Sequence, residues 1–184
     1  MKRAFAHLSI LCALCGEIAG AGCTPPPQPH RPAAGAIDLA DRFTIGRHIS
    51  AAEGSSGSFN RHAVVTRNGR REDAMTLVAP LEIRASLAGL SGTHTLKLLA
   101  TPVFNIGDGL QMDVLVGGAG ALKQVYGRYF DAGRKAEDRD WIPLEIALDL
   151  SGAGDAYLEI RISGGPQGDL VADWLALAEV RLDR

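Results

Sequence analysis

The sequence predicts an all-β fold, a two-layer antiparallel β-sandwich arranged as a jelly roll of about eight strands. Three observations carry that prediction. Apolar residues recur at every second position in run after run, the mark of strands with one oily and one wet face. Glycine-rich turns separate these runs at short spacing. No stretch gives a convincing long amphipathic helix. Glycine supplies 22 of 184 residues and aromatics only 5%, a composition suited to many tight corners.

The folded part is expected to begin near Ile37, and Ile37–Phe43 reads either as a short strand or as one helical turn. Residues 54–58 form a Gly/Ser loop. Arg61–Thr66 is a strand, Asn68-Gly69 a hairpin turn, and Ala74–Ala79 the returning strand. Pro80 separates it from Leu81–Leu87, where Leu81, Ile83, Ala85 and Leu87 alternate. Thr93–Ala100 follows, then Leu110–Val116 after the turn at Asp108-Gly109, then Leu122–Phe130. A charged loop over 134–140 leads into Trp141. From there to Leu182 the pattern is fullest. Ile142, Leu144, Ile146, Leu148 and Leu150 share one parity, and Leu158, Ile160 and Ile162 another. Val171, Trp174, Leu175 and Ala178 also fit helical spacing, whereas Val180 and Leu182 flanking Arg181 favour strand.

The first residues read differently. Lys2 and Arg3 form a basic start, Ala4–Ile18 is mostly apolar yet too short to span a bilayer, and Gly20-Ala21-Gly22 precede Cys23. This resembles a bacterial lipoprotein signal peptide, cut before a cysteine that is acylated on sulfur. The departure is Gly20, where that class usually carries Leu. An ordinary secretory signal with an incidental cysteine is the competing reading. The expected division is therefore 1–22 signal peptide, 23–36 Pro-rich tether and 37–184 sandwich. Cys12 and Cys15 fall in the cleaved part, so the mature domain has no internal disulfide or cysteine metal site. The resemblance implies export and lipid anchoring to the envelope, with Thr24 after the cysteine implying the outer membrane of a Gram-negative cell.

The domain itself resembles the galactose-binding-like jelly roll of carbohydrate-binding modules. The matching features are the strand after Gly107-Asp108-Gly109, the Arg139-Asp140-Trp141 lead-in to a long strand, the turn over 151–155, and Asp173-Trp174 before the closing strand. The resemblance implies a binding domain rather than a catalyst.

Catalytic templates fail. Gly54-Ser55-Ser56-Gly57 misses the Gly-x-Ser-x-Gly spacing by one residue, and no His-Glu-x-x-His is present. Histidines 30, 48, 62 and 94 are scattered. Asp108, Asp138, Asp140, Asp169 and Asp173 lie in loops or at strand entries, where a carboxylate pair for glycoside hydrolysis would have to form. Asp108 is expected to serve its own hairpin. A net charge of −2 argues against a nucleic-acid surface. No cofactor is expected, and a structural calcium on Asp38, Asp41 and Glu179 is conceivable without being predicted.

A sugar is held by aromatic faces together with planar polar groups. The candidate ligand residues are Tyr126, Arg128, Tyr129, Arg139, Trp141, Asp173 and Trp174. The expected partners are the membrane, through Cys23, and either a glycan or an envelope protein. Leu115, opposite in parity to Met112 and Val114, hints at an apolar docking face for the second partner. A carboxylate-based hydrolase is the third reading.

Overall fold

The computed structural model describes residues 35–47, 57–118, 121–151, 154–168 and 170–184. Cys23, the signal peptide, nearly all of the tether, His30, His48, most of the 54–58 loop and Asp169 lie outside them.

Among the described residues, eleven strands form two antiparallel sheets. In chain order they are β1 (Ile37–Asp38), β2 (Phe43–Arg47), β3 (Phe59–Arg67), β4 (Arg70–Val78), β5 (Leu81–Ser86), β6 (Thr93–Pro102), β7 (Leu110–Gly118), β8 (Ala121–Phe130), β9 (Ile142–Asp149), β10 (Tyr157–Gly164) and β11 (Trp174–Asp183). The first sheet runs β3-β4-β11-β6-β9, with β1 on the end of β11; the second runs β2-β5-β10-β7-β8. The strand count exceeds the expected eight chiefly because β1 and β2 are short pieces that the alternation does not mark. Both readings of the 37–43 stretch are realised, since a 3-10 turn at Ala40–Arg42 follows β1. The helical spacing around Trp174 gives way to strand.

The central strand of each sheet comes from the C-terminal stretch: β10 in one, β11 in the other. Their alternation packs face to face. Leu158, Ile160 and Ile162 meet Leu175, Leu177, Val180 and Leu182 in one core with Met75, Leu77, Leu96, Met112 and Leu148. Each such side chain, fully buried, contributes roughly 1.5–3 kcal/mol against the entropy of ordering the chain. The parity of β11 shifts at a bulge between Ala178 and Arg181, where Glu179 has φ 53°. That extra residue keeps both Leu177 and Val180 inside. Pro143 sits in β9, an edge strand, where a missing N–H breaks no ladder.

A second, smaller cluster lies on the outer face of the first sheet. It contains Val65, Ala74, Leu99, Trp141, Ala176 and Ala178. The β3–β4 hairpin covers it. Pairing of β4 with β11 stops at Ala74, and the far half of the hairpin crosses the face. There the Arg67 guanidinium donates to the Pro102 carbonyl, and Trp141 Nε1 donates to the Arg70 carbonyl at 3.3 Å. The turn at its tip is Asn68-Gly69, with φ 45° and 80°, as its sequence predicts. Across the same face runs a ladder of ion pairs: Arg70 with Glu72 and Glu179, Arg181 with Glu179 and Asp183, and Lys97 with Asp183 and Glu145.

Candidate functional site

Strand direction divides the loops between two poles. At one pole lie residues 79–80, 103–109, 131–141 and 165–173; at the other lie tighter turns, including residues 87–92. Most of the exposed large apolar side chains cluster at the first pole. Phe104 (40% exposed), Ile106 (64%), Val171 (64%) and Trp174 (38%) all belong to the 103–109 and 165–173 loops or to the strand start beside them. Loops are anchored by the strands beneath them, so they can show apolar surface without collapsing.

Phe104 and Trp174 form a corner. Their ring centroids are 5.5 Å apart and their planes meet at 75°. The geometry is edge-to-face, the arrangement that the ring quadrupoles favour. The backbone holds it: Val103 N–H donates to the Trp174 carbonyl at 2.8 Å. Ala172, with φ 64°, precedes Asp173 and Trp174 and turns the loop back into β11. The two loops touch where Gly107, at φ 92°, lies against the Val171 carbonyl. A Cβ there would stand 2.6 Å from that oxygen, so the contact requires glycine.

Buried carboxylates fix this pole from beneath. Asp108 (3% exposed) accepts from the backbone N–H of Gln167 at 2.6 Å, tying the 103–109 loop to the 165–173 loop. Asp108 therefore serves a loop distant in sequence, and not its own hairpin as expected. Asp138 accepts from the Asp131 N–H at 2.8 Å and pairs with Arg128 at 2.6 Å. Asp131 in turn accepts from the Arg134 N–H. Tyr129 donates its hydroxyl to the Asp108 carbonyl and lies beneath the Lys135 ammonium, 5.5 Å from the ring centroid. Burial, and then the negative charge of Asp131, Asp108 and Asp173, raises the Tyr129 phenol above its ordinary pKa, with Arg134 opposing. Asp108, Asp131 and Asp138 position loops: each accepts from a backbone N–H, and Asp138 also pairs with a guanidinium.

No family model matches the sequence, and no curated protein sequence matches it either. Solved structures do. A CBM51 module from Clostridium perfringens, in complex with methyl-galactose, aligns with a TM-score of 0.53 at 15% identity, covering 80% of this chain and 99% of that one. The chain shares the jelly-roll sandwich fold of that module. A structure of the CBM51-2 and INT domains of ZmpB, from the same organism, aligns with a TM-score of 0.50 at 12% identity. It is matched over 80% of this chain and 31% of its own. Identities this low carry the jelly-roll fold and leave the ligand to the residues.

On this fold the residues singled out from sequence separate. Trp174 and Asp173 are at the aromatic corner, but Asp173 is only 1% exposed. Trp141 is 6% exposed and belongs to the covered cluster on the outer face. Arg139 is used within its own loop, donating to the Ala132 and Gly133 carbonyls. Tyr126, Arg128 and Phe130 share a face as the alternation predicts, but it is the core-side face of edge strand β8. The Arg128 guanidinium stacks over Phe130 at 4.9 Å and is neutralised by Asp138. Tyr129 points to the other side.

Leu115 is 7% exposed, beneath the Arg84, Arg161, Glu82 and Glu159 cluster of the second sheet, so it marks no docking face. The conceivable calcium ligands disperse too. Asp38 accepts from the Ala40 N–H, and Glu179 belongs to the ion-pair ladder. Among the described residues no group of three His, Cys, Asp or Glu could hold a metal ion. His94 is buried against the Ser91 carbonyl at 3.1 Å, and His62 lies exposed between Asp41 and Asp73.

The residue that sequence reasoning missed is Phe104. Its signal was present: Val103-Phe104-Asn105-Ile106 is an apolar run that follows a strand yet breaks its alternation, just before a Gly-Asp-Gly turn.

Proposed function

We propose that this protein is a non-catalytic glycan-binding domain, exported and held to the cell envelope by acyl chains on Cys23. One observation carries the binding assignment: the Phe104–Trp174 corner, solvent-exposed at the loop-rich pole of a module fold. Aromatic faces hold the C–H surfaces of sugars, and two rings set at an angle hold two sides of one residue. The anchor rests on the Gly20-Ala21-Gly22-Cys23 sequence and the proline-rich segment behind it. Acyl chains contribute about 0.8 kcal/mol per buried CH₂, enough for two or three to retain a small domain.

The test is retention of the purified protein on a panel of envelope and plant polysaccharides in affinity gels. Trp174→Ala and Phe104→Ala should each abolish retention and leave the fold intact. No retention on any polysaccharide would overturn the assignment. Mass spectrometry of the membrane-extracted protein tests the anchor, which fails if the mature N-terminus carries an unacylated Cys23.

A second reading, docking onto an envelope protein, draws support from Ile106 and Val171, whose aliphatic side chains widen the apolar patch beside the corner. Co-purification of one partner from mildly solubilised membranes, lost in Ile106→Ser but not in Trp174→Ala, would favour it.

A further inference from the structure

Several partly buried guanidiniums among the described residues are matched by a carboxylate. Arg84 pairs with Glu159 at 2.5 Å and Glu82 at 3.5 Å, Arg128 with Asp138 at 2.6 Å, and Arg181 with Glu179 at 3.2 Å. Arg161 pairs with Glu159 at 2.5 Å. Arg67 has no carboxylate partner among the described residues. Its one hydrogen bond goes to the Pro102 carbonyl, and its Nε is buried with no acceptor. Burial alone pulls its guanidinium below the ordinary arginine value, and no acid pulls it back. A partly desolvated cation without a counter-charge is costly, and an arriving anion would relieve that cost.

Its position matters as much as its charge. The Pro102 carbonyl and the Val103 N–H belong to one peptide group. Arg67 binds the first, and the Trp174 backbone accepts from the second. The hairpin thus delivers a cation to the outer face of the first sheet, on the same peptide that carries the aromatic corner. Arg70, its neighbour across the turn, is already neutralised by Glu72 and Glu179. Among the described residues, Arg67 brings to that face a positive charge with no carboxylate partner.

We propose that the saccharide bound at this pole carries a fixed negative group, a carboxylate or a sulfate ester, and that Arg67 is its counter-charge. This rests on the glycan-binding reading and adds the chemical class of the ligand. A guanidinium presents a planar fork of donors that matches either anion.

The experiment uses matched pairs of polymers with the full-length protein: polygalacturonate against its carboxyl-reduced form, and dextran sulfate against dextran. Wild type should prefer the acidic member of at least one pair by roughly tenfold or more in affinity. Which pair shows the preference identifies the anion. Arg67→Gln, which can still donate to the Pro102 carbonyl, should lose the preference, and Arg67→Lys should keep part of it; thermal melts report whether each variant folds. If both members of each pair bind wild type equally, and Trp174→Ala abolishes both, the charge assignment is overturned and glycan binding stands. A preference that persists unchanged in folded Arg67→Gln also overturns it. If no polymer of either kind binds, glycan binding falls and this inference falls with it.

Discussion

Arg128 and Asp138 form a 2.6 Å ion pair at the edge of the sandwich, and the aspartate side chain is only 1% exposed. Arg128 lies on edge strand β8 with its side chain on the core-side face, where the two sheets open toward solvent. Asp138 closes that opening from the 3-10 turn at Ala136–Arg139 and also accepts from the Asp131 N–H. Burial lowers the Arg128 pKa, but the hydrogen bond and charge of Asp138, with Tyr126, outweigh it and hold the guanidinium above its ordinary value.

Breaking this pair should be expensive. Asp138→Ala strands the guanidinium over the Phe130 ring and leaves the Asp131 N–H without its acceptor. The expected loss is about 2–4 kcal/mol, toward the lower end for a buried pair because Arg128 keeps some contact with water. Asp138→Asn, which retains an acceptor, should lose less. Urea denaturation measures both; a loss in Asp138→Ala no greater than that of an ordinary surface substitution would show that the pair is not structural.

The two tryptophans should respond oppositely. Trp141→Ala removes the largest member of the covered outer cluster and the bond to the Arg70 carbonyl, at a cost of roughly 3–5 kcal/mol. Trp174→Ala, at a 38% exposed position, should cost under about 1 kcal/mol in stability while removing saccharide retention. Paired melting and affinity-gel measurements separate the roles. Loss of retention in a folded Trp141 variant with Trp174 intact would reverse the assignment.

Tyr129 should set an alkaline limit. Its phenol is raised in the folded state by burial and then by Asp131, Asp108 and Asp173. The fold therefore favours the neutral form. That contribution is fully present below the unfolded value of about 10 and is lost as pH rises through the higher folded value. Tyr129→Phe should be less stable than wild type at neutral pH, lacking the bond to the Asp108 carbonyl, and should lose less stability between pH 9 and 11. Denaturation midpoints at both pH values test it; equal losses in the two proteins would contradict the shift.

Much of the fold was legible in the alternation. Leu144, Ile146 and Leu148, and Leu158, Ile160 and Ile162, are buried where period two places them. The same rule could not rank the faces of β8. Tyr126, Arg128 and Phe130 do share a side, but parity does not say whether that side meets water or the other sheet. The helical ambiguity near Trp174 arose because both faces of β11 are apolar there: Leu175 and Leu177 face the core, while Ala176 and Ala178 join the covered outer cluster.

By itself, then, the order of residues determined the layers: which side chains share a face along most strands, and where the chain turns. These are local consequences of backbone geometry, in which every second side chain shares a face. Only the tertiary structure decided which tryptophan is covered and which is exposed, and that Arg67 lacks a carboxylate while Arg128 has one. Those outcomes depend on the curl of the β3–β4 hairpin over the sheet and on loops meeting across long stretches of chain. The charge and burial of one residue are set there by neighbours that its own sequence window does not contain.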